Sequence, residues 1–162
     1  MDGMNKQSVV ESISYESDIV RLTVGCEHEA HELLAPIFNA LAKAGINVDI
    51  IVQSILNGMR PTVSFTIAKE NFAECLRILE LRKASLGFSF ADFEVGLAKV
   101  SIFGLGMVSN PGVAARIFEC LRKENIEVKM VSTSEMKVSV IVGQENMIRA
   151  ANVLHEEFQL IV

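Results

Sequence analysis

Val20, Leu22 and Val24 alternate with Arg21 and Thr23 in IVRLTV (Ile19–Val24), the period of two that a half-buried strand requires. The period then lengthens. Leu33, Leu34, Ile37, Phe38 and Leu41 form the stripe of an amphipathic helix, and Gly45 follows where a helix C-terminus takes a glycine. INVDIIVQSI (Ile46–Ile55), rich in β-branched residues, reads as a second strand, and a turn at Asn57-Gly58 leads to a third, TVSFTI (Thr62–Ile67). Phe72, Leu76 and Leu79 mark a helix from about Asn71 to Lys83, and SFADFEV supplies a last strand. The succession then starts again. AKVSIFGLG is a strand, and PGVAARIFECLRKEN a helix with Pro111 at its start. IEVKMVSTS and KVSVIV form a hairpin, and ENMIRAANVLHEEF is a second helix. Only the stub QLIV is left for a closing strand, and VVESISY (Val9–Tyr15) has the length and pattern to take that place.

The two halves are copies. Ala35–Ser54 set on Ala115–Ser134, an offset of 80, gives eight identities in twenty positions without a gap. The same offset sets Val20 on Val100 and Leu22 on Ile102. It falls to 75 later, where Val63-Ser64 meets Val138-Ser139 and Glu70-Asn71 meets Glu145-Asn146. The organisation this predicts is a flexible stretch over 1–7, a first module over 18–95, and a second built from 8–17 plus 96–162. The first module is thus inserted in the second. Helices at both crossovers cover one face of each sheet, and the exposed edges call for a second module or a second chain, so a homodimer is expected.

Composition narrows the function classes. Half of the residues are apolar and the net charge is −5 with Lys and Arg scattered, which argues against a nucleic-acid surface. No apolar run reaches the roughly 18–20 residues of a membrane span, and MDGMNKQSVVESIS lacks the form of a secretory signal. Cys26, Cys75 and Cys120 are odd in number and widely spaced, so reduced thiols and a cytoplasmic location are expected, with Cys75 and Cys120 as small core residues.

SNPGVAARIFECL (Ser109–Leu121), INVDIIVQS and above all EVKMVSTSEMKVSV (Glu127–Val140) closely resemble the regulatory region of bacterial aspartate kinases, over nearly the whole chain from about Ser8. The resemblance implies an α+β fold of two ferredoxin-like βαββαβ ACT modules, with antiparallel sheets and helices on one face. It implies a sensor of end-product lysine or threonine that shuts down phosphorylation of aspartate, the first step towards lysine, threonine and methionine. The implied partners are a second copy joined through the ACT modules and a catalytic kinase domain or alpha subunit. No nucleic acid, membrane, cofactor or metal is expected. In some bacteria such a region is made separately from an internal start as the small subunit of an α2β2 enzyme, which a start at Met1 or Met4 would suit. A structural subunit with decayed effector sites, and an ACT sensor of another enzyme, are the alternatives.

An amino-acid effector needs its carboxylate and ammonium held and its side chain read. The strand-to-helix loop carrying Met107, Val108, Ser109, Asn110, Pro111, Gly112, Val113 and Ala114 offers free N–H groups at a helix start, where a carboxylate is favoured. Asn110 and Ser109 are candidate caps, and a plain capped turn is the ordinary reading. Asp49, with Gln53 on the same strand, could accept from an ammonium group, or it could be the charge that edge strands commonly carry. Ser132, Thr133, Ser134 and Glu135 gather three hydroxyls and a carboxylate at one hairpin end, again suited to an ammonium group or to a hydrogen-bonded turn. By resemblance the ligand lies between one module and its pseudo-symmetric mate in the dimer. The family's D-x-P-G turn is replaced in the first copy by Cys26-Glu27-His28-Glu29-Ala30-His31-Glu32, where added negative charge opposes a docked carboxylate. The resemblance associates that altered site with threonine and the intact one with lysine, and Glu135 and Asp49 favour a cationic side chain, so lysine is favoured and threonine comes next. His28 and His31 match no metal motif. No phosphate-binding loop, nucleophile elbow or Cys–His constellation is present, so no catalytic site is expected within these residues.

Overall fold

The computed structural model describes residues 9–26, 31–58, 60–107 and 110–160. The chain divides into an inserted unit, Asp18–Gly96, and an outer unit formed by Met1–Ser17 and Leu97–Val162. Six strands and four helices are described: β1 (Ser12–Cys26), α1 (His31–Lys43), β2 (Ile51–Ser54), β3 (Thr62–Ala68), α2 (Phe72–Leu86), β4 (Phe88–Phe103), α3 (Val113–Lys123), β5 (Val128–Thr133), β6 (Lys137–Gly143) and α4 (Met147–Glu157). Strand order within the inserted unit is β2-β3-β1-β4, and within the outer unit β5-β6-β4-β1, so each is a βαββαβ module. The resolved pairings β1–β3, β2–β3, β4–β6 and β5–β6 are all antiparallel.

Alternation decides which face each helix pair covers. In the inserted unit, Val20, Leu22, Val24, Val63, Phe65 and Ile67 meet Leu33, Ile37 and Leu41 of α1 and Cys75, Ile78 and Leu79 of α2 in one core. In the outer unit, Val100, Ile102, Val138, Val140 and Val142 meet Ile117, Leu121, Ala150 and Leu154. Cys75 is fully buried, and burial pushes its thiol up to about 12. Alkylation at pH 8 should therefore label half-buried Cys120 and spare Cys75 in the native chain, a difference that peptide mass mapping reads directly.

Two expected breaks in the strands are absent. The SISY part of VVESISY shares the fifteen-residue β1 with IVRLTV, and SFADFEV and AKVSIF share the sixteen-residue β4. Each of these strands passes from one unit to the other at a left-handed residue, Asp18 (φ 58°) and Gly96 (φ 71°). The closing stub differs too. Gln159 turns left-handed (φ 54°), its N–H donates to Glu156 O and that of Leu160 to His155 O, so these residues finish α4 as a Schellman cap. Gly45 closes α1 and Asn125 closes α3 by the same pair of bonds.

The strand registers also revise the internal alignment. Gly25 faces Thr62 and Phe103 faces Lys137, so with β3 and β6 at an offset of 75, β1 lies on β4 at an offset of 78. Leu22 therefore corresponds to Val100, not to Ile102. A shift of two leaves an alternating pattern unchanged, which is why the repeat concealed it. Charge pairs agree with the revision: Arg21 meets Glu94 at 3.2 Å in the inserted unit, and Lys99 meets Glu16 at 3.3 Å in the outer one. The helices keep their offset of 80, since Leu33, Ile37 and Leu41 match Val113, Ile117 and Leu121 in burial. The strand-to-helix loop of the outer unit is consequently two residues longer.

Candidate functional site

That longer loop forms one wall of a cavity of about 410 Å³ in the outer unit. Met107, Asn110, Pro111, Gly112, Val113 and Ala114 line it on one side, and Thr133, Ser134, Glu135 and Val138 on the other. The two segments singled out in the sequence are thus brought together by the fold. Val108 and Ser109 lie outside the described residues. Ser132 pairs in register with Ser139 on the hairpin and does not line the cavity. Asp49 and Gln53 belong to the inserted unit.

The loop is held by its own backbone. The Met107 N–H donates to Gly104 O at 3.2 Å, and the Asn110 side-chain amide donates to Gly106 O at 2.6 Å. The Asn110 amide nitrogen thus braces the loop. The N-cap is Gly112, in the left-handed region at φ 97°, which carries no side chain that could cap α3. Pro111 accordingly stands before the cap and not at the first helical position. The first N–H groups of α3 and the positive end of its dipole favour a carboxylate at this turn. Nothing lies within 4 Å of a methyl group built on Gly112, so Gly112→Ala tests backbone conformation alone. It should lower stability by about 1 kcal/mol, read from denaturant unfolding, and weaken any ligand held by that turn.

Across the cavity, the Ser134 N–H donates to Lys137 O at 2.8 Å, which closes the turn and leaves its hydroxyl exposed. Glu135 is the only ionisable group among the described lining residues. A donor-rich helix start thus faces two hydroxyls and one carboxylate, with Met107, Val113 and Val138 between, which suits a zwitterion with a cationic or polar side chain. Val138 is a lining residue that the sequence reading missed. It is the first inward position of β6, legible only as a core residue. A larger groove of about 500 Å³ between α3 and α4 is less suited, because its one guanidinium is already engaged, with Arg116 Nε on Glu157 Oε1 at 3.0 Å.

Asp49 is exposed and not a mid-strand residue. Its N–H donates to Thr66 O and the Thr66 N–H to Ile50 O, both at 3.0 Å, while the Ile50 N–H turns to Thr66 Oγ1. Two residues thus face one, a β-bulge immediately before β2. The outer unit has its register shift at the same place, between Val128 and Met130. In the first copy's loop, Glu27, His28, Glu29 and Ala30 lie outside the described residues. A cavity of about 330 Å³ beside it is lined by Cys26, Glu32, Leu33 and Ala84–Gly87, with its far wall on the C-terminal end of α2. No group of three or more His, Cys, Asp and Glu side chains that could hold a metal occurs among the described residues. No helix among them is long and apolar enough to cross a membrane.

Comparisons with known proteins bear on the family and the fold. An ACT-domain family profile matches residues 100–158. Aspartokinases from Bacillus sp. (strain MGA3) and Bacillus subtilis (strain 168) are 45% and 43% identical over 157 residues, 97% of this chain. The chain spans 38% of the length of those relatives. A crystal structure of aspartokinase alpha and beta subunits superposes with a TM-score of 0.84 at 39% identity, covering 93% of this chain and 99% of that one. The ligand-free regulatory subunit of aspartate kinase from Thermus thermophilus superposes with a TM-score of 0.83 at 31% identity, with the same coverage.

Proposed function

The chain belongs to the regulatory ACT-domain family of the aspartokinases, and on that premise we propose that its outer-unit cavity is the effector site through which an end-product amino acid inhibits the kinase. The observation that carries this reading is the meeting of the Met107–Ala114 loop with the Thr133–Glu135 turn around a cavity of about 410 Å³. The α3 N–H groups take the effector carboxylate, and the hydroxyls of Thr133 and Ser134 take its ammonium group. Glu135 favours a cationic side chain, so lysine is the first candidate and threonine the second. Phosphorylation of aspartate is then carried out elsewhere in the assembly, by a catalytic kinase domain or alpha subunit, in the cytoplasm.

A second copy of the chain completes the site in this proposal. Asp49 and Gln53 of one protomer approach the cavity of its partner, where the exposed bulge presents a carboxylate to the ammonium group. Feedback requires the effector to favour one arrangement of the dimer, by a differential free energy of about 1–3 kcal/mol.

Titration calorimetry with lysine, threonine and methionine, singly and mixed, tests the reading. Heat with lysine supports it, and silence with all three would leave only a structural subunit. Asp49→Ala should weaken lysine binding at least about tenfold while sedimentation shows the dimer intact. Unchanged affinity in that variant removes Asp49 from the site.

A further inference from the structure

We propose that Gly104 couples the cavity to the segment Val9–Ile13, so that occupancy is transmitted to the stretch of chain entering β1; this rests on the effector reading above. Both cavity walls hang from this one residue. The Gly104 N–H donates to Met136 O at 2.9 Å, at the end of the Ser134–Glu135 turn, and its carbonyl accepts from the Met107 N–H at 3.2 Å. On its other side, a methyl group built on Gly104 would collide with Val9 O and lie 2.9 Å from Val10 Cα. Backbone crosses directly over backbone there. The crossing segment is itself fixed, because the Glu11 N–H donates to Phe103 O at 2.8 Å and Val10 is fully buried against the outer core.

The glycine answers to the crossing and not to the module. By the register correspondence, Cys26 occupies the matching position in the inserted unit, and its N–H makes the matching bond, to Pro61 O at 2.8 Å. A side chain is tolerated there. In that unit Gly87 stands where Val9 stands in the outer one, and Cys26 and Gly87 line the same cavity. The outer unit reverses the arrangement, placing the larger residue on the crossing segment and none at the root of the loop. A contact between two backbones has no rotamer to absorb movement. Displacement of either cavity wall therefore reaches Val9 and Val10.

Amide hydrogen exchange in the full chain, with and without saturating L-lysine or L-threonine, provides the test. In the wild type, ligand should slow the Glu11 amide at least about fivefold more than the Ile126 amide at the far end of α3. Gly104→Ala pushes the crossing segment away. At a lysine concentration that saturates the variant, the Glu11 response should fall to the level of Ile126. Should that variant fail to fold, Val10→Ala loosens the segment from its other side and should reduce the Glu11 response in the same way. Equal slowing of Glu11 and Ile126 in the liganded wild type, or a full Glu11 response in a folded variant, would overturn the coupling. Absence of heat with either amino acid in the wild type would overturn the effector reading and the coupling with it.

Discussion

Ser134→Phe is expected to abolish amino-acid binding at the outer unit while leaving the fold as stable as the wild type. Ser134 lines the cavity opposite the start of α3, and its side chain is exposed, so a benzyl group meets no core atom and projects into the space the ligand needs. The backbone bond from its N–H to Lys137 O does not depend on the side chain, so the turn persists. Loss of affinity by two orders of magnitude or more, about 2.7 kcal/mol, should appear in lysine calorimetry. Unfolding should shift by no more than about 0.5 kcal/mol, as for other exposed positions. Wild-type affinity in Ser134→Phe would place the effector somewhere other than this cavity.

Phe65→Ala should produce the largest loss of stability, about 3–5 kcal/mol in denaturant unfolding. Phe65 is fully buried on β3 at the centre of the inserted unit, with its ring edge-on to Phe38 of α1 at 5.5 Å and 78°. Truncation removes both the transferred apolar surface and the aromatic contact, and it leaves a void bounded by α1 and the sheet. Much of a small domain's margin would be gone. A cost below about 1.5 kcal/mol would mean that α1 settles into the void, and the core would be less closely packed than its burial indicates.

Much of the site was legible before folding because its two walls are contiguous segments with local signatures. A glycine and a proline before a helical stripe mark a helix start, and a run of hydroxyls with a glutamate marks a polar turn. Their juxtaposition follows from the module, since the first crossover and the central hairpin share one end of the sheet. The cap position was assigned to Asn110 for a physical reason. Short polar side chains before a helical stripe are the usual caps, and only the backbone path puts Gly112, turned to φ 97°, at that position, with the Asn110 amide nitrogen on Gly106 O.

The alternation of apolar residues, the helical stripes and the twofold repeat by themselves determined the element order, the core faces and the insertion of one module in the other, because those features depend on periods that each segment carries locally. Register, by contrast, was decided by pairing between distant strands. A slip of two residues preserves the inward face and changes no local preference, so only the bonds of β4 to β6 reveal that the loop at the cavity is two residues longer. The bulge that exposes Asp49 and the closeness of Val9 to Gly104 belong to the same class. Each is a meeting of residues far apart in the chain, fixed by backbone hydrogen bonds and close packing that no local pattern contains.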